Sequence, residues 1–174
     1  MTPEEKQNLA TPADLWRVLD AEFCFQIDVC ATQQTRKVPD YLGPDHEVLC
    51  RRNALDPDRC WMDLGCPAYC NPPFRDALPW HVKAHAEAQS HPNAVVAVLG
   101  LPGGSQEWAK FAFRHASEIR IMSPRVQFDV PEGCKRFTNT RDSWLYVYRR
   151  NPHQPHAHIW TWDWKQPEQQ EAMR

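Results

Sequence analysis

Apolar residues in this chain follow two rhythms that alternate from residue 11 to about residue 149. Leu15, Val18, Leu19 and Phe23 recur at helical spacing and predict an amphipathic helix reaching about Glu22. Thr11-Pro12-Ala13-Asp14 reads as its start, with Thr11 as N-cap, Pro12 at the first helical position and Asp14 near the positive end of the dipole. Phe25 to Ala31 alternates and then turns apolar, a strand that ends around the carboxylate of Asp28 and the small residues Cys30 and Ala31. Residues 32–66 hold no long period. Val48-Leu49-Cys50 reads as a short strand there, and Asn53 to Pro57 as a turn carrying Asp56.

From Ala68 the rhythm returns. Ala68 to Cys70 is a strand, and residues 76–90 form a helix with Pro79 confined to its first turn. Ala94 to Leu99 is a continuous β-branched run of the kind buried in parallel sheets. Ser105 is placed to cap a helix whose stripe is Trp108, Phe111, Ala112 and His115. Glu118 to Met122 and Ser143 to Tyr148 read as strands. Ile159 to Trp164 is either an added strand or a docking arm.

Alternating helices and strands imply an α/β fold, a central and mostly parallel sheet flanked by helices. With 174 residues the chain fits a single such domain. It divides into a flexible N-terminus (1–10), a main domain (11–150) and a Trp/His-rich C-terminal extension (151–174). In open α/β sheets ligands sit at the carboxyl ends of the strands, which puts Asp28, Asp56 and Asn71 on one rim. No G-x-G-x-x-G occurs, which argues against a dinucleotide-dependent dehydrogenase.

Composition changes this picture little. Charged residues make up 24% and hydrophobic ones 42%, as in a globular chain. No apolar run approaches the roughly 18 residues of a membrane span, and the polar start is unlike a secretory signal, so a cytosolic protein is expected. Net charge is −2, so any nucleic-acid face must be local rather than a general basic excess. The seven cysteines are odd in number and read as reduced thiols. Cys60, Cys66 and Cys70 lack paired C-x₂-C spacing, so no metal site is expected.

The chemistry concentrates at Asn71-Pro72-Pro73-Phe74. The Asn carboxamide can accept a hydrogen bond from an amino group. The prolines fix φ and bring no N–H of their own, and the Phe ring offers a face for a planar base. Asn-Pro also starts ordinary turns, so the four residues alone fit a plain turn equally well.

Their company decides. An Asn/Asp-Pro-Pro-aromatic loop after a strand resembles the catalytic loop of amino-methyltransferases that use S-adenosylmethionine. Thr11-Pro12, Glu22-Phe23, Asp28-Val29-Cys30-Ala31 and Asn71 to Phe74, in this order, resemble the phage-type Dam family of DNA N6-adenine methyltransferases. Leu99 to Pro102 with Trp108, Pro124 to Phe128 and Ser143 to Tyr148 fit the same likeness, which covers about residues 11–149. Pro124 stands where Gly is expected, Gly103-Gly104 replace bulkier polar residues, and Trp61 to Cys66 looks inserted.

The resemblance implies a Rossmann-like methyltransferase with S-adenosylmethionine as cofactor and DNA, with base flipping, as partner. Asp28, with Cys30 and Ala31, would receive the methionine part of the cofactor, and Thr11 and Pro12 would line the same pocket. Asp56, or less directly Asp45, would meet the ribose or adenine. Asn71, Pro72, Pro73 and Phe74 would hold the target adenine. Lys135, Arg136 and Arg141 are the candidate DNA contacts. Cytosine N4, RNA adenine and protein glutamine are alternative acceptors, and a non-catalytic binding protein on the same fold is the other alternative.

Overall fold

A computed structural model describes residues 9–61, 66–130, 140–150 and 155–166. Seven strands, β1 (Ile27–Asp28), β2 (Asp40–Tyr41), β3 (Ala68–Cys70), β4 (Val95–Gly100), β5 (Glu118–Ser123), β6 (Trp144–Arg149) and β7 (His158–Asp163), form one sheet in the order β2-β1-β3-β4-β6-β5-β7. Every neighbouring pair is parallel except the two made by β6. Six strands therefore point the same way, and their carboxyl ends share one rim.

Side-chain alternation sorts the core into two faces, as a period of two requires. Ala68, Cys70, Val96, Val98, Tyr146 and Tyr148 face α2 (Leu78–Ser90) and α3 (Glu107–His115). Tyr69, Ala97, Leu99, Leu145 and Val147 face the other way and pack with Leu15, Leu19 and Phe23 of α1 (Ala13–Phe23). The small residues Ala84, Ala88 and Ala112 let α2 and α3 lie close to the sheet. His81 of α2 is wholly buried, where its Nδ1 pairs with the Tyr148 hydroxyl at 2.7 Å. Burial lowers its pKa to about 4, so the ring packs as a neutral aromatic stacked on Trp108.

Local readings shift in several places. The expected strand from Phe25 contracts to two residues because the chain leaves the sheet at Val29. Val48 to Cys50 is not a strand; Leu49–Arg51 is a single 3-10 turn with Leu49 exposed. A short strand the apolar pattern does not signal, β2, pairs beside β1 instead. α2 begins at Leu78, after a 3-10 turn at Phe74–Asp76. Ser105 does not cap α3; Gln106 holds that position without a side-chain bond. Likewise Pro12, not Thr11, is the N-cap residue of α1.

The tail contributes an edge strand. β7 runs parallel to β5 and lays Trp162 and Trp164 into the α1 face of the core. Beside Trp160 and Trp162 lies Arg120 of β5, 1% exposed. Its guanidinium pairs with Glu22 of α1 and with Glu118, and sits 4.9–5.2 Å from the rings of Phe23, Trp160 and Trp162. This cluster ties helix, central sheet and tail together through one buried cation. Removing one partner from such a cluster leaves the others without compensation. Arg120→Ala is accordingly expected to lower the unfolding free energy by about 3 kcal/mol. Urea titration checks this, and a loss below about 1 kcal/mol would show that the cluster is a spectator.

Candidate active site

The rim at the carboxyl ends of β2, β1 and β3 opens into a cavity of about 290 Å³. Register puts the candidate side chains there. β1 pairs with β3 so that Asp28 lies opposite Tyr69, two residues before Asn71. Beyond β1 the chain turns outward, with the Val29 N–H donating to the Tyr69 carbonyl at 2.9 Å. Asp28, Cys30, Ala31, Thr11, Asn71 and Pro73 all line the cavity. These six expected site residues are thus brought together from three separate parts of the chain.

Asp28 is the electrostatic centre of the site. It is 3% exposed, and its carboxyl accepts backbone N–H groups from Lys37 at 3.1 Å and, more loosely, from Cys30 at 3.4 Å. Burial dominates over these bonds and over the nearby Lys37 charge, and pushes the pKa up to about 7. Lys37 also lines the cavity, and its own pKa is lowered by burial. The site is therefore built around an acid that gains from an added positive charge.

Asn71 follows β3 directly. Its Nδ2 donates to the Leu9 carbonyl at 2.9 Å and lies 3.5 Å from Thr11 Oγ1. Thr11 is wholly buried, and its hydroxyl meets the Tyr69 hydroxyl at 2.5 Å. Burial holds the Tyr69 phenol well above its ordinary pKa, so it stays protonated. Thr11 thus spends its hydroxyl on the site rather than on capping α1. Pro72 is buried, and Phe74 is half-buried with its ring edge-on to Phe128 at 5.8 Å. That contact brings the segment after β5 against the loop.

The far wall comes from residues 42–55. The Leu42 N–H donates to the Asp28 carbonyl and the Ala31 N–H to the Leu42 carbonyl, at 2.9 and 3.1 Å. Gly43 passes so close to this strand end that a Cβ there would lie 1.6 Å from the Ala31 carbonyl oxygen. Only glycine fits that approach. Asn53, Ala54 and Leu55 reach the cavity, as does Trp80 from α2.

Other expected residues fall elsewhere. Asp56 is not among the lining residues; its carboxylate accepts the Asp58 N–H at 3.0 Å. Asp45 accepts the Gln33 N–H at 2.8 Å on the surface. Pro12 and Phe74 flank the cavity without lining it. Arg141 is exposed, while Lys135 and Arg136 lie outside the described residues. Lys37, Tyr69, Gly43 and Trp80 carry no motif that marks them in the sequence, since each enters through a long-range packing contact. Among the described residues no group of three or more His, Cys, Asp or Glu could hold a metal ion, and no helix is long and apolar enough to cross a membrane.

The Asp28 assignment has a pH signature. An acid with a folded pKa above its unfolded one contributes stability that is fully present below about pH 3.8 and lost as pH rises through about 7. The full swing is on the order of 4 kcal/mol. Asp28→Asn is therefore expected to gain stability relative to the wild type, by up to that amount, between pH 4 and pH 8. Denaturant titrations of both proteins across that range check it, and parallel curves would show that folding does not raise the pKa of this carboxyl.

A family model for DNA N-6-adenine-methyltransferase (Dam) matches residues 1–171. A DNA N-6-adenine-methyltransferase of Haemophilus phage HP1 (strain HP1c1) is 30% identical over 105 residues, covering 60% of this chain and 54% of the relative. The match thus spans about half the length of that relative.

Proposed function

The chain belongs to the Dam family of DNA N-6-adenine-methyltransferases, and on that footing we propose that it transfers a methyl group from S-adenosylmethionine to the exocyclic N6 of adenine in DNA. The observation that carries this reading is the meeting of Asp28 and Asn71 in one cavity at the carboxyl ends of adjacent strands. The chemistry of the donors fits the cofactor. A buried carboxyl whose pKa is pushed up to about 7 favours an ammonium, such as that of a methionine moiety. The apolar wall of Leu42, Ala54, Leu55 and Trp80 suits a planar base.

S-adenosylmethionine, when bound, supplies an activated methyl group on a sulfonium centre. The remaining work belongs to the chain. Adenine N6 is out of reach inside a stacked duplex, so the base must swing out into the cavity mouth. Asn71 Oδ1 and the Pro72 carbonyl accept the two N6 hydrogens, which turns the amino lone pair out of conjugation with the ring and fixes its direction. The catalytic gain is orientation and preorganised polarity. Phe74, held by Phe128, offers its face to the flipped base, worth about 1–3 kcal/mol for base–aromatic stacking. Lys135, Arg136 and Arg141 would contact DNA.

Purified protein is expected to move labelled methyl from S-adenosylmethionine onto adenine-containing duplex DNA. Asn71→Ala should lower that rate by about 100-fold or more, since it removes one of the two acceptors. Equal incorporation by wild type and variant would remove Asn71 from catalysis. Parallel trials with cytosine-only DNA, RNA and glutamine peptides identify the acceptor, and label appearing only there would overturn adenine in DNA.

A further inference from the structure

The hydrogen bonds around Asn71 have a direction that the loop alone does not supply. A backbone carbonyl only accepts, so the end of the Asn71 amide facing the Leu9 oxygen at 2.9 Å must be its nitrogen. The same nitrogen faces Thr11 Oγ1 at 3.5 Å, a long contact that biases the amide without fixing it alone. Both acceptors therefore lie on one side, and Oδ1 is left as the free end of a side chain that lines the cavity.

The two acceptors are themselves held. The Thr11 hydroxyl meets the Tyr69 hydroxyl at 2.5 Å, and both residues are only 1% exposed. Leu9 is followed by Ala10, which exchanges two backbone hydrogen bonds with Asp129 at 3.0 and 2.9 Å. The segment Leu9–Thr11 is thus pinned on one flank by the stretch after β5 and on the other by β3. Nothing in the Asn-Pro-Pro-Phe sequence requires this arrangement.

We infer that Leu9, through its carbonyl, and Thr11, backed by Tyr69, are positioning residues that hold the Asn71 amide with its oxygen toward the reacting amine. The inference rests on the amine-methylation reading given above. One consequence is chemical. Asp is not equivalent to Asn at this position, because a carboxylate oxygen would then oppose the Leu9 carbonyl with no proton between them. Asn71→Asp is expected to lose transfer although it keeps an acceptor oxygen.

The test separates positioning from cofactor binding and from folding. Thr11→Val removes the hydroxyl at nearly constant shape, Thr11→Ser restores it, and Tyr69→Phe removes the support beneath. In steady-state transfer to duplex DNA at saturating S-adenosylmethionine, where weaker cofactor binding no longer limits the rate, Thr11→Val and Tyr69→Phe should each lower kcat by about 10-fold. Thr11→Ser should recover most of kcat. The second measurement needs no turnover. The side-chain amide protons of Asn71, followed by NMR in labelled protein, should be protected from solvent exchange in the wild type and lose protection in Thr11→Val. Unchanged protection in Thr11→Val would overturn the positioning role, as would unchanged kcat in both hydroxyl-deleting variants of an active enzyme. A wild type that methylates no amine, yet shows this loss of protection, would overturn the functional reading alone and uphold the geometry.

Discussion

A carboxyl group taken out of water at the end of β1 constrains everything around it. Asp28 is buried by the cavity wall, and only backbone N–H groups and a neighbouring lysine oppose the cost of its charge. To bring those N–H groups round the carboxyl, the chain leaves the sheet at Val29, passes Lys37 back beside Asp28 and rejoins the sheet at Asp40. This explains why β1 and β2 are two residues long while the strands at the other end of the sheet run to six. Regular structure is given up where the buried carboxyl needs donors, and the stability comes from elsewhere.

Elsewhere means the long strands and their two apolar faces. β4 and β6 pair over six residues each, and their alternating side chains feed both cores. Since β6 alone runs backwards, the rim keeps the carboxyl ends of six strands, and only three of them build the cavity. The Arg120 cluster works at a distance from that rim. It locks α1 to β5 and β7 by Glu22 at the end of the helix, while Thr11 and Pro12 at the start of the same helix stand beside the site. A helix fixed at its far end thus delivers a short, ordered approach to Asn71.

The parts of this structure that the sequence reveals are those with local periodicity. Ala94 to Leu99, Ser143 to Tyr148 and the helix from Ala13 announce themselves because many neighbouring residues share one burial demand. Asp28 and Asn71 were legible for a different reason, as polar residues at the ends of apolar strands. What stayed hidden depends on pairing across the chain. β2 is too short for any rhythm. Thr11 looks like a helix cap because local chemistry favours that use, yet a tyrosine 58 residues later claims its hydroxyl. Lys37 and Gly43 reach the cavity because the strands fix where their loops must pass, and Trp80 because α2 packs beside the same rim. The tail carried a strand pattern, but its parallel pairing with β5 is a tertiary fact.

The bridge between Ala10 and Asp129 joins positions separated by most of the chain. Synthesis proceeds from the N-terminal side, so Ala10 is made long before Asp129, the residue it pairs with. Until residue 129 has emerged, the Asn-Pro-Pro-Phe loop exists without the bridge that anchors the carbonyl facing its amide. A nascent chain halted before β5 therefore presents a sheet edge and a cavity with an unanchored flank. The anchoring of that flank is thus a late event, set by a residue far from the loop it steadies.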